Sequence, residues 1–298
     1  MSHTEPNTGK PTAAVRRISA RQAASEPFRL FFPAAWLTGL LGVVWWPLHF
    51  AGVVPFYPGA VHARLMTHGF FGGFILGFLG TALPRMLSAK PFRIGEVLAL
   101  LGLHGAMVVA YLCGRTPVGD GLLLALLLVF AGVVTIRIRQ RQDVPPPGFV
   151  LVALAFACLA GGAIMSLLQD RDAPALSWVT LQHLLSYQGF VLLPILGVGA
   201  FIIPRFFSLP NQQDFPESRT PPPGWTAKAL AAGLVGGFIV VSFFIEAAGW
   251  YRTGTGMRLA AAALYLVREI PLHRAAGPAN ALATPLKIAF VLLLAGFL

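Results

Sequence analysis

The chain has 298 residues, of which 56% are hydrophobic and only 11% are charged, and its mean hydropathy is +0.72. Soluble domains carry about a quarter charged residues, so this composition excludes a soluble globular protein and predicts a multi-pass helical membrane protein. A net charge of +11 would suggest a nucleic-acid partner in a soluble protein. Here it is assigned instead to basic loops that orient membrane helices, and the partner expected is the lipid bilayer.

The N-terminal segment is polar and basic and has no apolar stretch of the kind found in a signal peptide. The sequence therefore predicts a disordered cytoplasmic tail over residues 1–28 and a single multi-pass membrane domain over residues 29–298. Within that domain, apolar runs bounded by charge and proline predict eight spans, at 30–50, 66–84, 94–113, 121–137, 148–168, 178–203, 229–250 and 256–270. A ninth begins near residue 283 and is still apolar at Leu298, so the domain is expected to be incomplete at its C-terminus.

Lysine and arginine concentrate in the segments that lie on the same side of the membrane as the N-terminus. The connector after the fourth span carries Arg137, Arg139 and Arg141, whereas the connector before it carries Arg115. Because short cytoplasmic loops are rich in Lys and Arg, this asymmetry predicts a cytoplasmic N-terminus.

Two predicted spans share the pattern G-F-x4-I-L-G-x6-P-R at a separation of 120 residues. Both copies cross the membrane in the same direction, because they are the second and sixth spans, so they predict a parallel internal repeat with a site at its interface. The alternative is that the glycines serve ordinary helix packing. The paired positions are Gly69 and Gly189, Gly77 and Gly197, Pro84 and Pro204, and Arg85 and Arg205.

Four histidines lie in or at the ends of predicted spans and are the candidate cofactor-binding residues: His62, His68, His104 and His183. Ionisable side chains in membrane helices are costly and usually face the bundle interior, and histidine is a common ligand for heme iron and copper. The alternative is that each histidine makes a hydrogen bond between helices. No residue pattern indicates a catalytic group, since C-x-x-C-H, Walker A and H-E-x-x-H motifs are all missing.

Local spacing adds detail at five positions. His62 and Met66 are four residues apart on one helix face, so Met66 is a candidate soft ligand to copper beside His62, or else core filler. His62 and His68 are roughly 120° apart around a helix and are expected to face different neighbours. Asp120 is read as a helix cap, and Glu246 as a proton relay or an interfacial residue.

Parts of the chain resemble the NnrS family of multi-pass bacterial membrane proteins. The stretch "PFRLFF" (27–32) resembles the family's N-terminal P-F-R/F-x-F motif. The stretch "HARLMTHGFFGGFILGFLGTALPRM" (62–86) resembles the signature H-A-H-E-M-x-F-G followed by G-F-L-x-T-A-x-P-N-W. The layout of helices and inner connectors also agrees along the chain. The matching residues are His62, Ala63, Met66, Gly69, Gly77, Phe78, Leu79, Thr81, Ala82 and Pro84.

The resemblance implies a heme- and copper-containing protein of the bacterial inner membrane that is linked to nitric oxide and nitrosative stress. The chain departs from the signature where Arg64 and Leu65 replace a histidine and a glutamate, and His68 stands at a usually apolar position. Only His62 therefore inherits a ligand role from the family.

Three functions remain open at this stage. The first is an NnrS-type heme, or heme-copper, protein that handles nitric oxide. The second is a secondary transporter in which His68, His104 and Glu246 line a proton-coupled path. The third, a heme-copper oxidase, is disfavoured because the chain has no adjacent pair of histidines.

Overall fold

A computed structural model describes residues 19–169, 175–207, 209, 218–270 and 283–296, and every regular element in these ranges is a helix. Ten helices follow one another, of which α3 and α7 each contain an internal π-helical segment. They are α1 (Ala20–Ser25), α2 (Phe28–Phe50), α3 (Gly59–Met86), α4 (Ile94–Leu112), α5 (Thr116–Gln140), α6 (Phe149–Leu168), α7 (Leu176–Phe206), α8 (Trp225–Ala247), α9 (Tyr251–Glu269) and α10 (Ala283–Ala295).

Helices α2 to α8 are the seven that are long and apolar enough to cross a membrane within the described ranges. This confirms the prediction of an all-α, polytopic membrane bundle with eight or nine major helices. The predicted eighth and ninth spans correspond to α9, which carries Arg252, Arg258 and Arg268, and to the shorter α10. Residues 1–18 of the predicted tail lie outside the described residues, while α1 forms within its last part.

Both π-helical segments lie in the spans that share the repeated sequence pattern. They cover Leu65–Phe71 in α3 and Leu184–Gly189 in α7. A π-helical turn shifts the hydrogen-bonding register of the backbone and is frequent at functional sites. Within this segment of α3, the carbonyl oxygen of Gly69 accepts a hydrogen bond from Nε2 of His104 at 2.9 Å.

Helices α2 and α3 pack together in the same register as α6 and α7. A Cβ on Gly77 would lie 2.8 Å from Cβ of Phe31, and a Cβ on Gly197 would lie 3.1 Å from Cβ of Leu151. Phe31 and Leu151 are separated by the same 120 residues as the two glycines. The parallel repeat stays a prediction, and these contacts support it.

The prolines and arginines of the shared pattern can be compared only in part. Pro84 and Pro204 both lie inside the last turns of their helices. The guanidinium of Arg85 donates to Glu26 at 2.9 Å, whereas the side chain of Arg205 lies outside what the structure describes. We call the end of the bundle where α3 and α7 end, with Pro84 and Pro204, the proline end. The opposite end, where α3 and α7 begin, is the histidine end.

Tight turns join α4 to α5 and α8 to α9 at the histidine end. Gly114 and Gly249 lie in these turns with φ of 68° and 99°, in the left-handed region that only glycine adopts without strain. The short turns make each pair antiparallel neighbours. They also bring the last turn of α4, which carries Tyr111, next to the first turns of α5.

Candidate functional site

His68 lies in the π-helical segment of α3 and is buried in the bundle, with 2% of its surface exposed. Its Nδ1 atom is 3.0 Å from the hydroxyl oxygen of Tyr111 on α4. Its Nε2 atom is buried and has no hydrogen-bond partner among the described residues. His68 therefore has one nitrogen held in place and one nitrogen free.

Asp120 is the centre of a polar cluster around the fixed side of His68. Its carboxylate accepts hydrogen bonds from the Tyr111 hydroxyl at 2.7 Å and from the Ser166 hydroxyl at 2.6 Å. The guanidinium of Arg64 donates to both carboxylate oxygens at 3.3 Å and to the Ser166 hydroxyl at 2.9 Å. These side chains come from four successive helices, α3 to α6, and we call them, with His68, the Asp120 cluster.

The prediction that Asp120 caps a helix was wrong. The helix begins at Thr116, and Asp120 lies one turn inside it with 1% of its surface exposed. Placing a carboxylate inside a membrane helix is costly unless a cation compensates it. Arg64 supplies that cation, so the pair is electrically neutral as a unit.

Tyr187 extends the cluster toward α7. Its ring centroid lies 5.8 Å from that of His68 and 5.2 Å from that of His183. His183 is exposed and His68 is buried, so the three rings form a row that leads from the surface of the histidine end into the bundle.

The remaining candidate histidines have different surroundings. Nδ1 of His62 lies 3.0 Å from the carbonyl oxygen of Gly42 on α2, so His62 and His68 contact different helices, as their spacing predicted. A Cβ on Gly42 would lie 3.2 Å from Sδ of Met66, which shows that Met66 faces the same part of α2 as His62. His104 is 1% exposed and uses Nε2 for the Gly69 carbonyl.

A second buried ion pair lies at the same end of the bundle, between α8 and α9. The Arg258 guanidinium donates to Glu246 and, at 3.3 Å, to the hydroxyl oxygens of Ser242 and Thr255. Glu246 is thus paired with an arginine, and none of its hydrogen bonds described here reaches a histidine.

Sequence reasoning identified His68 but missed Tyr111 and Ser166. The sequence did contain a signal for the Arg64–Asp120 ion pair. The two residues carry opposite charges at the same end of two apolar spans, and such charges usually pair. A tyrosine and a serine carry no comparable signal, since both are common in membrane helices as neutral packing residues.

The described residues contain no group of three or more His, Cys, Asp or Glu side chains that could hold a metal ion. They do contain single histidines with one ring nitrogen held by a neighbour. A metal-binding histidine almost always has its other ring nitrogen hydrogen-bonded in this way. His68 has this form, with Nδ1 held by Tyr111 and Nε2 without a partner among the described residues.

No curated protein and no solved structure matches the chain. The family model described as "NnrS protein" matches residues 22–298, which is nearly the whole chain. The chain therefore belongs to the NnrS family.

Proposed function

We propose that this chain is an integral membrane heme protein of the NnrS type that takes part in the response to nitric oxide. The observation that carries the proposal is the free, buried Nε2 of His68, whose other nitrogen is held by Tyr111. A histidine in this state is suited to be an axial ligand, because the partner of Nδ1 fixes the ring and leaves Nε2 for the metal.

The other histidines support the assignment unequally. His62 has Nδ1 on the Gly42 carbonyl and is the second candidate ligand. His104 is less suited, because its Nε2 already serves the Gly69 carbonyl. His183 is exposed beside Tyr187 and could only meet a group that enters from the histidine end.

A heme with one open axial position would supply a binding site for a small gas such as nitric oxide. The residues of this chain would exclude water from the site and orient the ligating ring. Copper has weaker support, which rests on His62 and Met66 facing the same part of α2. We place the histidine end on the periplasmic side of the bacterial inner membrane, because the basic connectors lie at the other end, on the same side as the N-terminus.

The test is an absorption spectrum of the purified chain in detergent, oxidised, reduced and after addition of nitric oxide, together with iron and copper analysis. We expect a Soret band that shifts with nitric oxide, and we expect His68→Ala to abolish it. His104→Ala is the control, because it removes another buried histidine of the same region. A preparation from heme-replete cells that has no band and no iron would overturn the proposal.

The alternative is a proton-coupled transporter with intramembrane histidines. It is favoured by one observation, namely that His68, Tyr111 and Asp120 form an unbroken hydrogen-bonded chain of groups that can exchange protons. A colourless preparation that shows a pH-driven substrate flux, lost in His68→Ala, would support this alternative.

A further inference from the structure

The hydrogen bonds of the Asp120 cluster can run in only one direction. An ionised carboxylate only accepts hydrogen bonds, and a guanidinium only donates them. Arg64 and Ser166 donate to Asp120, and the short contact of 2.7 Å between Tyr111 and Oδ1 therefore takes up the tyrosine's single hydroxyl proton.

This direction determines which nitrogen of His68 carries a proton. Since the Tyr111 hydroxyl has given its proton to Asp120, its oxygen can only accept at the 3.0 Å contact with Nδ1 of His68. Nδ1 must then be the protonated nitrogen. A neutral imidazole has one N–H, so Nε2 carries a lone pair. A doubly protonated ring would leave a second N–H buried without a partner, at considerable free-energy cost.

We propose that Asp120, acting through Tyr111, is a positioning residue that holds His68 in the Nδ1–H tautomer, so that Nε2 presents a lone pair to a bound cation or hydrogen-bond donor. Arg64 and Ser166 both donate to the Asp120 carboxylate and so use it as an acceptor. The proposal rests on the proposed function only for the identity of the group that Nε2 binds.

The placement of the ion pair supports this role. Asp120 and Arg64 together are neutral, and an apolar pair of similar volume would serve packing at least as well. What an apolar pair cannot do is impose a direction on the Tyr111 hydroxyl. The Arg258–Glu246 pair offers an internal comparison, because its described hydrogen bonds end on Ser242 and Thr255 and no histidine depends on it.

The experiment is nitrogen-15 NMR of the full chain in lipid, labelled at histidine, both as purified and after removal of any bound heme or metal. The His68 signals are assigned by their loss in His68→Gln. In the metal-free sample we expect a protonated Nδ1 and an unprotonated Nε2.

Asp120→Asn is the decisive variant. The amide can donate to Tyr111 where the carboxylate could only accept, which lets the Tyr111 hydroxyl turn and donate to Nδ1. We therefore expect His68 to change to the Nε2–H tautomer, whereas Asp120→Glu should keep the Nδ1–H form. Tyr111→Phe removes the link and should give a mixture of tautomers. It serves as the second test if Asp120→Asn does not fold.

Glu246→Gln is the matched control, because it makes the same acid-to-amide change in the buried Arg258–Glu246 pair and should leave the His68 signals unchanged. An Nε2–H tautomer in the wild-type chain, or a His68 tautomer that is unaltered in both Asp120→Asn and Tyr111→Phe, overturns the proposal. Because the tautomer is read without any ligand, a heme-free protein with the expected tautomer would overturn the proposed function alone.

Discussion

His68 and Gln188 lie 120 residues apart, one in each π-helical segment, and each has a buried side-chain atom without a hydrogen-bond partner among the described residues. The residues packed beside the two segments differ. The ring of Tyr111 lies beside His68, whereas a Cβ on Gly189 would lie 3.1 Å from the ring of Phe243. The tyrosine that is hydrogen-bonded to a buried histidine therefore lies beside the first π-helical segment, in a cluster to which α6 contributes Ser166.

An arginine also accompanies the aromatic ring in both halves. Cζ of Arg64 lies 6.0 Å from the Tyr111 ring centroid, and Cζ of Arg258 lies 5.3 Å from that of Phe243. Only the tyrosine can pass a hydrogen bond from a carboxylate to its neighbour on α3. The role proposed for the Asp120 cluster rests on this difference.

The close packing of α2 on α3 predicts a large effect of one methyl group. Gly77→Ala would bring a Cβ to 2.8 Å from Cβ of Phe31 and 3.1 Å from Cα of Phe28, and the second contact is backbone that cannot turn away. We expect a loss of about 1–3 kcal/mol in the free energy of unfolding, as for other overpacked cores. Unfolding in mixed detergent micelles measures it.

Gly102→Ala is the control, since a Cβ there meets no atom within 4 Å. It should be neutral or slightly stabilising, because alanine is the better helix former. Equal stability of the two alanine variants would contradict the packing described for α2 and α3.

Another ion pair ties α4 to α5 at the proline end. The Arg137 guanidinium donates to Glu96 and, at 3.1 Å, to the Pro91 carbonyl. Its Cζ lies 4.9 Å from the Phe92 ring centroid. Arg137→Ala should lower the free energy of unfolding by about 2–3 kcal/mol, which is below the usual cost of breaking a buried pair because Glu96 is partly exposed. Arg139→Ala, an exposed site on the same helix, should have little effect, and a similar loss in both variants would refute this account.

Glu26 predicts a pH dependence outside the membrane. Hydrogen bonds from Arg29 and then from Arg85 hold the pKa of the Glu26 carboxyl below its ordinary value. A carboxyl whose pKa is lowered by folding stabilises the folded state above its unfolded pKa, and that contribution is lost as the pH falls through the folded pKa. Thermal stability should therefore decline below about pH 4 more in the wild type than in Glu26→Gln. Parallel pH profiles for the two proteins would exclude this contribution.

Tyr187 is expected to control access to His68. In a chain with Cys113 and Cys158 replaced by alanine, His68→Cys should react slowly with a small thiol reagent added at the histidine end, because the Tyr187 ring covers that position. Adding Tyr187→Ala should raise the labelling rate severalfold. Tyr251 is an exposed tyrosine at the same end, and Tyr251→Ala should leave the labelling rate unchanged. If Tyr187→Ala leaves the rate unchanged, access does not pass this ring.

The sequence by itself determined the helical membrane architecture, because apolar runs of membrane length allow few other structures. It also determined the family and the presence of costly histidines inside the spans, since both can be read from residue type and spacing. The expectation that His62 and His68 face different helices followed from helical geometry alone and agrees with the observed partners.

The tertiary structure decided what each polar residue does. Arg64, Tyr111, Asp120 and Ser166 are spread over 103 residues of sequence and come together only because α3 to α6 pack side by side at one end. Whether a hydrogen bond forms depends on differences of a few tenths of an ångström in distance and on which donors face which acceptors. Spacing along a chain does not contain that information, so the difference between the free Nε2 of His68 and the occupied Nε2 of His104 appears only once the helices are packed.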